Sequence, residues 1–350
     1  MRAGAVIELD NGHPVAAHFG DTEAEYQSAC QAAALFDLSS YGRIGIVGPE
    51  AAMFLQNISS NDIRSLKPGA CCEAFLANAK AKCIAHGFFF RQLTNDNVDG
   101  FILSIGPCNV ANVLEHLDRH RISEQVEFCD LTADFAHMHL AGPKAHDCLE
   151  SATIDTSLMG STASGLSGMA IAHPMLELAG FDLLCPEAVA QQVWELLVRA
   201  GARPGGKQAF EILRIESGLP LNGQDIDESR LAMEVGRTRQ AISYSKGCFL
   251  GQEPIVRARD LGHINRSVVG LQATSDSRLT TGGKVYAEEQ EVGQITSVAY
   301  SPRVGKWIAL AYVRRNFEKA GTQLAVANPT GRQGVEVAEL PFCPITGSQS

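Results

Sequence analysis

The segment Lys246–Glu253 places a cysteine beside a cation and close to hydrogen-bonding side chains, a combination that suits thiol chemistry. It reads Lys-Gly-Cys-Phe-Leu-Gly-Gln-Glu, and its glycines let the backbone approach another group closely. A neighbouring cation favours the nucleophilic thiolate. We therefore predict a reactive thiol at Cys248, assisted by Lys246, with Gln252 and Glu253 as ligand-binding side chains. The alternative is a glycine turn around a buried cysteine, because free cysteines are among the most buried residues.

Basic side chains in two nearby segments suggest anion binding. Arg257 and Arg259 follow the cysteine motif directly. Residues 78–82 read Asn-Ala-Lys-Ala-Lys, so small residues allow close backbone approach while Lys80 and Lys82 offer contacts to an anion. The alternative for residues 78–82 is an ordinary lysine-bearing hairpin loop.

A third group of residues could hold a flat, hydrogen-bonding ring. A helix predicted over Lys207–Ser217 carries Arg214 and Glu216, which point to different faces because they are two residues apart. A carboxylate can accept two parallel N–H bonds from an amino-pyrimidine edge. Tyr41, which precedes an apolar strand, could stack on the same ring. The alternatives are ordinary charges at a helix end and a core tyrosine.

The composition describes an ordinary globular protein and excludes several classes. The chain has 350 residues, of which 45% are hydrophobic and 19% charged, and this length predicts two or three domains. A net charge of −10 argues against non-specific binding to nucleic acid or to an anionic membrane. No window approaches the roughly 20 apolar residues of a membrane helix. Because the N-terminus lacks secretory and organelle signals, we expect a cytoplasmic protein.

The cysteines and histidines show no metal-binding pattern. The ten cysteines are scattered and form no Cys-x-x-Cys pair, so we expect reduced thiols and no structural metal. The ten histidines show no ligand spacing, and His263, near Arg259 and Arg266, is the only one that we select as a candidate. Dinucleotide, phosphate-loop and serine-hydrolase motifs are also absent from the sequence.

Two stretches of the sequence repeat one another, which predicts a duplicated unit. Each has an apolar strand ending in Gly-Pro, at Gly48-Pro49 and at Gly142-Pro143, followed by a helix. After each copy the pattern predicts two strands and an amphipathic helix with apolar residues at helical spacing. Strand–helix–strand–strand–helix is the ferredoxin-like pattern. We therefore predict an α+β fold with two ferredoxin-like units.

The C-terminal part has a different texture. Beyond Arg266, short apolar runs alternate with Gly-Gly, Ser-Pro and Ala-Gly-Thr turns, which predicts a small β-barrel. We expect three domains: the first unit over residues 1–130, the second over 131–265 with the cysteine motif, and the barrel over 266–345. From Pro341 onward we expect a loose tail.

Taken in order, these motifs resemble the folate-binding aminomethyltransferase superfamily over nearly the whole chain. That superfamily includes the T-protein of glycine cleavage and the YgfZ-type proteins. The segments that carry the resemblance are Phe36–Ser39, which is similar to a Phe-Asp-x-Ser signature, Arg214–Gly218, which is similar to a folate-site Arg-x-Glu-x-Gly, and Ser301–Val313 in the barrel. The resemblance implies a cleft for folate between the two ferredoxin-like units.

Two segments resemble the YgfZ branch in particular. Lys246–Glu253 is similar to Lys-Gly-Cys-Tyr-x-Gly-Gln-Glu, with Phe249 in place of tyrosine, and residues 78–82 are similar to Asp-Ala-Lys-Gly-Lys, with Asn78 in place of the acid. T-proteins carry paired aspartates that hold the reacting folate nitrogen, whereas this chain has Ala85 and His86 at the matching positions. Residues 221–225 look more like the T-protein, so the chain has features of both branches.

The resemblance implies a tetrahydrofolate-binding protein that supports iron–sulfur cluster assembly or repair, and in some members tRNA modification. Iron–sulfur client proteins would then be the partners, with no direct contact to nucleic acid or membrane. Cys248 would be a redox-sensitive or persulfide-accepting thiol at the mouth of the cleft. The implied folate contacts are Glu216 with Arg214 at the pterin edge, Tyr41 and Phe210 as apolar cover, Asn78, Gln252 and Glu253 as polar contacts, and Lys80, Lys82, Arg257 and Arg259 at the glutamate tail.

Two alternatives stay open. The chain could be a folate-dependent aminomethyltransferase or methyltransferase, with His86 or Glu253 replacing the missing acid, because proton transfer at the folate needs a positioned acid or base. It could also be a non-catalytic interaction scaffold whose folate site has lost its use.

Overall fold

The computed structural model describes residues 4–10, 13–107, 109–154, 165–261, 264–328 and 331–343. Two five-stranded sheets and a closed six-stranded barrel form the fold. This confirms the predicted α+β class with a C-terminal barrel. Within these residues, no helix is long and apolar enough to cross a lipid bilayer.

The N-terminal segment forms elements that the sequence pattern did not predict. They are strands β1 (Val6–Asp10) and β2 (His13–His18), helix α1 (Thr22–Gln31) and strand β3 (Ala34–Asp37). The hairpin of β1 and β2 is a sheet of its own. Helix α1 begins after Asp21, whose side chain accepts a hydrogen bond from the Ala24 N–H, as expected of a helix N-cap.

The first unit has the ferredoxin-like strand order with one strand added. Its elements are β4 (Gly42–Val47), α2 (Ala51–Ile58), β5 (Cys71–Ala77), β6 (Cys83–Leu93), β7 (Asp99–Ile105), α3 (Val110–His120) and β8 (Glu127–Asp130). The sheet order is β5-β6-β7-β4-β8. Strand β5, which was not predicted, extends the edge beside β6.

The second unit repeats this plan but takes one strand from the N-terminal segment. Its elements are β9 (Phe135–Ala141), α4 (Ala145–Ser151), β10 (Met169–Ala172), β11 (Gly180–Pro186), α5 (Glu187–Arg199) and β12 (Arg203–Gly205). The sheet order is β10-β11-β9-β3-β12, so β3 pairs with β9 where β8 pairs with β4 in the first unit. The predicted strand over residues 176–185 is shorter, because turns and bends occupy residues 175–179.

The repeated Gly-Pro turns have the same structural cause. Each glycine has a positive φ and passes close to another backbone. A Cβ on Gly48 would come within 2.1 Å of the Gln125 carbonyl oxygen, and one on Gly142 within 2.3 Å of the Ala32 carbonyl oxygen. Both turns therefore require glycine, and both lie against the segment that leads into the neighbouring strand.

The two sheets face one another and their helices lie outside. Side chains alternate along a strand, so Phe88 and Phe90 of β6 join an inter-sheet core that also contains Phe135 of β9. Phe89, between them, packs in the outer core of the first unit. The inter-sheet space is thus largely filled by aromatic and apolar side chains.

A linking region of helices connects the second sheet to the barrel. It contains α6 (Lys207–Glu216), a 3₁₀ turn (Ala232–Val235), α7 (Thr238–Ala241) and α8 (Gln252–Leu261). The barrel strands are β13 (Arg266–Ala273), β14 (Lys284–Ala287), β15 (Gln290–Ser301), β16 (Lys306–Arg314), β17 (Gln323–Asn328) and β18 (Gly331–Ala338). They close in the order β13-β16-β15-β14-β17-β18. The sequence pattern missed β18.

The division into residues 1–130, 131–265 and 266–345 stays a prediction, but the sheets do not follow its first boundary, because β3 belongs to the second sheet. The start of the predicted loose tail is ordered by contacts. Phe342 donates its N–H to the Glu216 carbonyl oxygen over 2.8 Å. Residues 344 and 345 lie outside the described residues.

Candidate functional site

A small cavity, which we call the inner cavity, lies between α6, β3 and the N-terminal hairpin. Its volume is about 30 Å³, enough for one or two water molecules. Tyr41 and Phe210 both line it, so the structure brings two of the predicted ligand-contacting residues together. The other lining residues are apolar, small or charged, and include Asp10, Val15, Ala16, Phe36, Asp37, Ser40, Gly206, Lys207, Glu211 and Leu221.

The aromatic wall of the inner cavity depends on Gly205 of β12. A Cβ on Gly205 would come within 2.4 Å of the Phe36 ring, so glycine alone leaves room for it. Phe36 then meets Phe210 edge-on, with ring centroids 5.5 Å apart. Lys207, at the start of α6, closes the outer side through an ion pair with Asp10 of β1 at 3.0 Å.

Glu216 does not face the inner cavity. Its carboxylate is fully buried and accepts hydrogen bonds from Tyr26 Oη at 2.9 Å, Ser301 Oγ at 2.5 Å and Arg303 Nε at 2.9 Å. These donors occupy both carboxylate oxygens and join α6 to α1 and to the barrel. The predicted contact between Glu216 and a pterin edge is therefore replaced by a structural role.

Arg214 supports a different carboxylate, one that the sequence analysis did not select. All five of its N–H donors are occupied. It binds Glu211 through Nε at 2.7 Å and a terminal nitrogen at 2.6 Å, Asp225 at 3.0 Å, Ser297 Oγ at 2.8 Å and the Leu219 carbonyl at 3.2 Å. Glu211 lines the inner cavity, whereas Arg214 does not. Arg214 therefore fixes the position of the Glu211 carboxylate without contacting the cavity itself.

A buried aspartate surrounded by three imidazoles lies in the second sheet. Asp182 of β11 contacts His137 Nε2 at 3.0 Å and His139 Nδ1 at 2.9 Å through one oxygen, and His173 Nδ1 through the other. The cluster adjoins the inner cavity wall, since the His137 ring lies edge-on to Tyr41 with centroids 6.4 Å apart. We call these four residues the Asp182 cluster.

Burial acts to raise the pKa of Asp182, but the three imidazoles outweigh it and hold that pKa well below its usual range. Burial lowers the pKa of His137, more than Asp182 raises it. At neutral pH Asp182 is thus a carboxylate that accepts hydrogen bonds from the rings around it. In the described part of the chain, no group of three or more His, Cys, Asp or Glu side chains is arranged to hold a metal ion.

A second buried imidazole, His86 of β6, is held by an acid. His86 Nε2 lies 2.6 Å from Glu73 Oε1, and Arg237 binds the same carboxylate through Nε at 2.8 Å and a terminal nitrogen at 2.6 Å. Burial raises the pKa of Glu73, but the bonds from Arg237 and His86 outweigh it and lower that pKa to about 2. The carboxylate therefore stays ionised and orients Nε2–H of the ring.

Lys246 serves the end of helix α2 rather than the cysteine two residues later. Its ammonium donates to the carbonyl oxygens of Gln56 at 2.6 Å, Ser59 at 2.8 Å and Asn61 at 2.7 Å, the type of contact that satisfies a helix C-terminus. Burial lowers the pKa of Lys246 to about 8. Because all three N–H donors are occupied, the predicted assistance to Cys248 is not supported by this geometry.

The turn at residues 78–82 and the cysteine motif touch one another. Asn78 Oδ1 accepts the N–H groups of Lys80 at 2.9 Å and Lys82 at 3.1 Å, which fixes the turn. Gly251 packs on it with φ of +80°, and a Cβ there would lie 2.7 Å from the Asn78 carbonyl oxygen. Two separate sequence signals thus form one surface feature.

This surface feature is separate from the inner cavity. Cys248, Glu253, Arg257 and Arg259 are exposed, and none of them lines it. Arg259 binds Asp260 at 2.6 Å, and Gln252 begins helix α8. The predicted position of Cys248 at the mouth of a folate cleft is therefore not what the structure shows. His263 lies outside the described residues.

Sequence reasoning thus selected Tyr41 and Phe210, which line the inner cavity, but it did not foresee that residues 78–82 touch the cysteine motif, and it missed Glu211, Glu73 and the Asp182 cluster. One signal for the cluster was available. His137 and His139 are two apart in an apolar strand, so they point to the same side of the sheet. Their partner Asp182 comes from another strand, and no local pattern joins them.

Comparisons with known proteins agree with this fold. Residues 1–243 match the GCVT N-terminal domain, and residues 266–343 match the glycine cleavage T-protein C-terminal barrel domain. The aminomethyltransferase of Desulforamulus reducens is 29% identical over 98% of this chain and 95% of its own length. The aminomethyltransferase of Thermoanaerobacter sp. strain X514 is 26% identical over 92% of this chain and 89% of its own.

A solved structure shows the same architecture. The crystal structure of glycine cleavage system aminomethyltransferase T from Bartonella henselae matches with a TM-score of 0.83 at 21% identity, covering 98% of this chain and 95% of that one. The domain matches span both the paired sheets and the barrel. The chain therefore belongs to the glycine cleavage T-protein family.

Proposed function

We propose that the protein binds tetrahydrofolate at the inner cavity and uses it as the acceptor in an aminomethyl transfer. Family membership and the aminomethyltransferase names of its relatives support this function over a purely structural one. The observation that carries the proposal is the inner cavity, which Phe36, Tyr41, Phe210 and Glu211 line together. A flat pterin needs such apolar faces, and its amino-pyrimidine edge needs a carboxylate acceptor.

The hairpin of β1 and β2 would have to move for this ligand to enter. The inner cavity holds about 30 Å³, far less than the 300 Å³ or more typical of small-molecule sites. Val15 and Ala16 of β2 form part of its wall. An isolated two-stranded hairpin is only marginally stable. The hairpin is therefore the part of the cavity wall that moves with the smallest cost in free energy.

His86 is the group we propose for proton transfer. Ala85 and His86 occupy the two positions that match the paired aspartates of T-proteins. Ala85 points into the outer core of the first unit. His86 points to the opposite side of β6, where its ring lies 6.0 Å from the Phe88 ring of the inter-sheet core. Glu73 fixes the proton on Nε2, which leaves Nδ1 as the basic nitrogen.

The reaction requires only proton movement from this residue. When two folate N–H groups bond to the carbon of an aminomethyl thioether, the carbon–nitrogen and carbon–sulfur bonds of the donor break. One folate proton leaves with ammonia and the other with the thiol. His86 accepts and returns a proton, and so is unchanged after each cycle.

Formation of methylenetetrahydrofolate from an aminomethyl-lipoyl carrier tests this function. We expect wild-type turnover and a loss of at least about 100-fold in kcat for His86→Gln, the usual scale of general acid–base catalysis, with folate affinity retained. His86→Asp should recover part of the rate, because it restores an ionisable group. His120→Gln, on an outer helix, is the control. Equal kcat for wild type and His86→Gln would remove His86 from the mechanism, and an inactive wild type that binds folate would remove the transferase.

A second candidate function, support of iron–sulfur enzymes, is favoured by the exposure of Cys248. Burial raises the pKa of Cys71, Cys72 and Cys185 to about 12, so these thiols stay protonated at neutral pH. Cys248 is the one exposed residue among the described free cysteines. In this function the thiol acts on the surface that it shares with residues 78–82, not at the inner cavity.

Complementation separates the two functions. In a strain that lacks the native protein, we expect Cys248→Ala to leave iron–sulfur enzyme activity unrestored, while Cys30→Ala, a half-buried control, restores it. Full rescue by Cys248→Ala would discard the thiol role. Rescue by His86→Gln, combined with failure of Cys248→Ala, would favour this second function over the transferase.

A further inference from the structure

A pocket of about 200 Å³ on the barrel is lined by three arginines from three different elements. Arg230 comes from the segment before the 3₁₀ turn, Arg266 begins β13 and Arg314 ends β16. Tyr312, Gln294, Glu291 and the backbone of residues 292–293 complete its wall. We call it the arginine pocket. It shares no lining residue with the inner cavity.

Two of these arginines form a like-charged pair across strands. Arg266 lies directly opposite Arg314 in the antiparallel ladder of β13 and β16. Like charges in that position are destabilising. Arg266 has a partial partner in Glu234 at 3.1 Å, whereas Arg314 makes no ion pair within the described residues. The positive charges of Arg266 and Arg314 are therefore only partly balanced by nearby carboxylates.

Two buried donors of the same pocket lack hydrogen-bond partners. Tyr312 is 2% exposed, and its hydroxyl has no partner among the described residues. Arg230 lies over the Tyr312 ring at 3.9 Å, and its Nε is also buried without a hydrogen bond. The nearest acid to that Nε is Asp227 at 3.7 Å, which is beyond hydrogen-bonding distance. Buried polar groups normally form hydrogen bonds, so an acceptor bound in the pocket would satisfy both donors.

The carboxylates nearby do not supply that acceptor. Glu291 lines the pocket but binds Lys284 at 2.7 Å. Glu234 binds Arg266 from the side of the 3₁₀ turn. In a chain with a net charge of −10, this pocket is a local surplus of positive charge. An anion with several acceptor atoms would balance this charge.

We propose that the arginine pocket binds the phosphate group of a small phosphorylated molecule. Guanidinium groups match phosphate oxygens with paired N–H bonds, and three of them approaching from different elements suit a tetrahedral anion better than a planar carboxylate. A phosphate oxygen would also accept from Tyr312 and Arg230. The pocket is several times the roughly 30 Å³ share of a water molecule, so it has room for part of the molecule that carries the phosphate.

Thermal unfolding of the full chain in phosphate tests this site, because a ligand that binds the folded state raises Tm in a concentration-dependent way. At fixed ionic strength, we expect inorganic phosphate to raise Tm above the value in sodium chloride or sodium acetate. Arg314→Gln should weaken the apparent phosphate affinity at least tenfold. Arg332→Gln, which changes another barrel arginine paired with Glu289, should respond as wild type does.

A second measurement, the change in stability of Arg314→Gln in chloride alone, separates a binding site from a structural cluster. In chloride alone, Arg314→Gln should be as stable as wild type or more so, because it removes one member of the like-charged pair. A lower Tm for this variant in chloride, a phosphate effect no larger than that of chloride or acetate, or an unchanged phosphate response in Arg314→Gln would each overturn the proposal. Glycerol phosphate tested beside inorganic phosphate identifies the source: tighter binding of the ester supports a phosphorylated metabolite, and tighter binding of the free ion contradicts it.

Discussion

Replacing Glu216 with alanine is expected to destabilise the protein by about 3 to 5 kcal/mol, the usual cost of breaking a buried ion pair. The carboxylate is fully buried and holds Tyr26, Ser301 and Arg303. Without it, the Arg303 guanidinium loses its partner, and α6 loses the hydrogen bonds that this carboxylate makes to the barrel. Urea unfolding followed by circular dichroism measures the change. The folded Glu216→Ala variant should retain the tetrahydrofolate affinity of the wild type, because the Glu216 carboxylate does not line the inner cavity.

Glu115→Ala is the matched control for this variant. Glu115 forms an exposed pair with Arg119 on α3, with the acid 68% exposed, and exposed pairs contribute at most about 1 kcal/mol. If Glu216→Ala were as stable as Glu115→Ala but failed to bind folate, Glu216 would be a ligand contact after all. That result would contradict the structural role assigned to it.

Replacing Asp182 with asparagine is expected to cost about 3 kcal/mol or more. The amide keeps one accepting oxygen but loses the negative charge and the second acceptor, and hydrogen bonds to a charged group contribute about 1.5 to 3 kcal/mol each. The loss should also change the dependence of stability on pH. The folded-state pKa of Asp182 lies below its unfolded value, so the folded state binds this proton less readily. Its contribution is therefore complete above the unfolded pKa of about 3.9 and declines as the pH falls from there toward the folded pKa.

Free energies of unfolding measured from pH 7 down to pH 2 test this prediction. Wild type should lose stability below about pH 4, and Asp182→Asn should lose this part of the acid dependence. The depressed pKa of His137 adds a separate decline below about pH 6.5 in both proteins. Asp118→Asn, at an exposed pair with Arg121, should follow wild type. An Asp182→Asn curve parallel to wild type below pH 4 would show that the cluster does not hold an ionised carboxylate.

The duplicated fold was readable from sequence because its signals are local. Each Gly-Pro turn requires a close backbone approach that only glycine permits, and the apolar residues of the following helix repeat at helical spacing. The place of β3 was not readable. Nothing in Ala34–Asp37 indicates whether that strand pairs with the first or the second unit, because the choice depends on contacts with β9 and β12.

The site was less predictable because its charges are matched over long sequence distances. Arg214 and Glu216 look like ligand contacts in the motif, but their partners Ser297, Ser301 and Arg303 come from the barrel. Lys246 stands near Cys248 in sequence, yet its ammonium binds carbonyl oxygens at the end of α2. Tyr41 and Phe210 were easier to select, since ligand pockets are lined mostly by hydrophobic and aromatic side chains.

Calorimetric titration of tetrahydrofolate into wild-type protein and Phe210→Ala examines the proposed site itself. Phe210 lines the inner cavity, whereas Phe181→Ala changes a ring that packs in the outer core of the second unit and serves as the control. We expect saturable heat with wild type and with Phe181→Ala, and at least tenfold weaker binding with Phe210→Ala. Absence of binding to the wild type, or equal affinity in all three proteins, would show that the inner cavity is not a folate site.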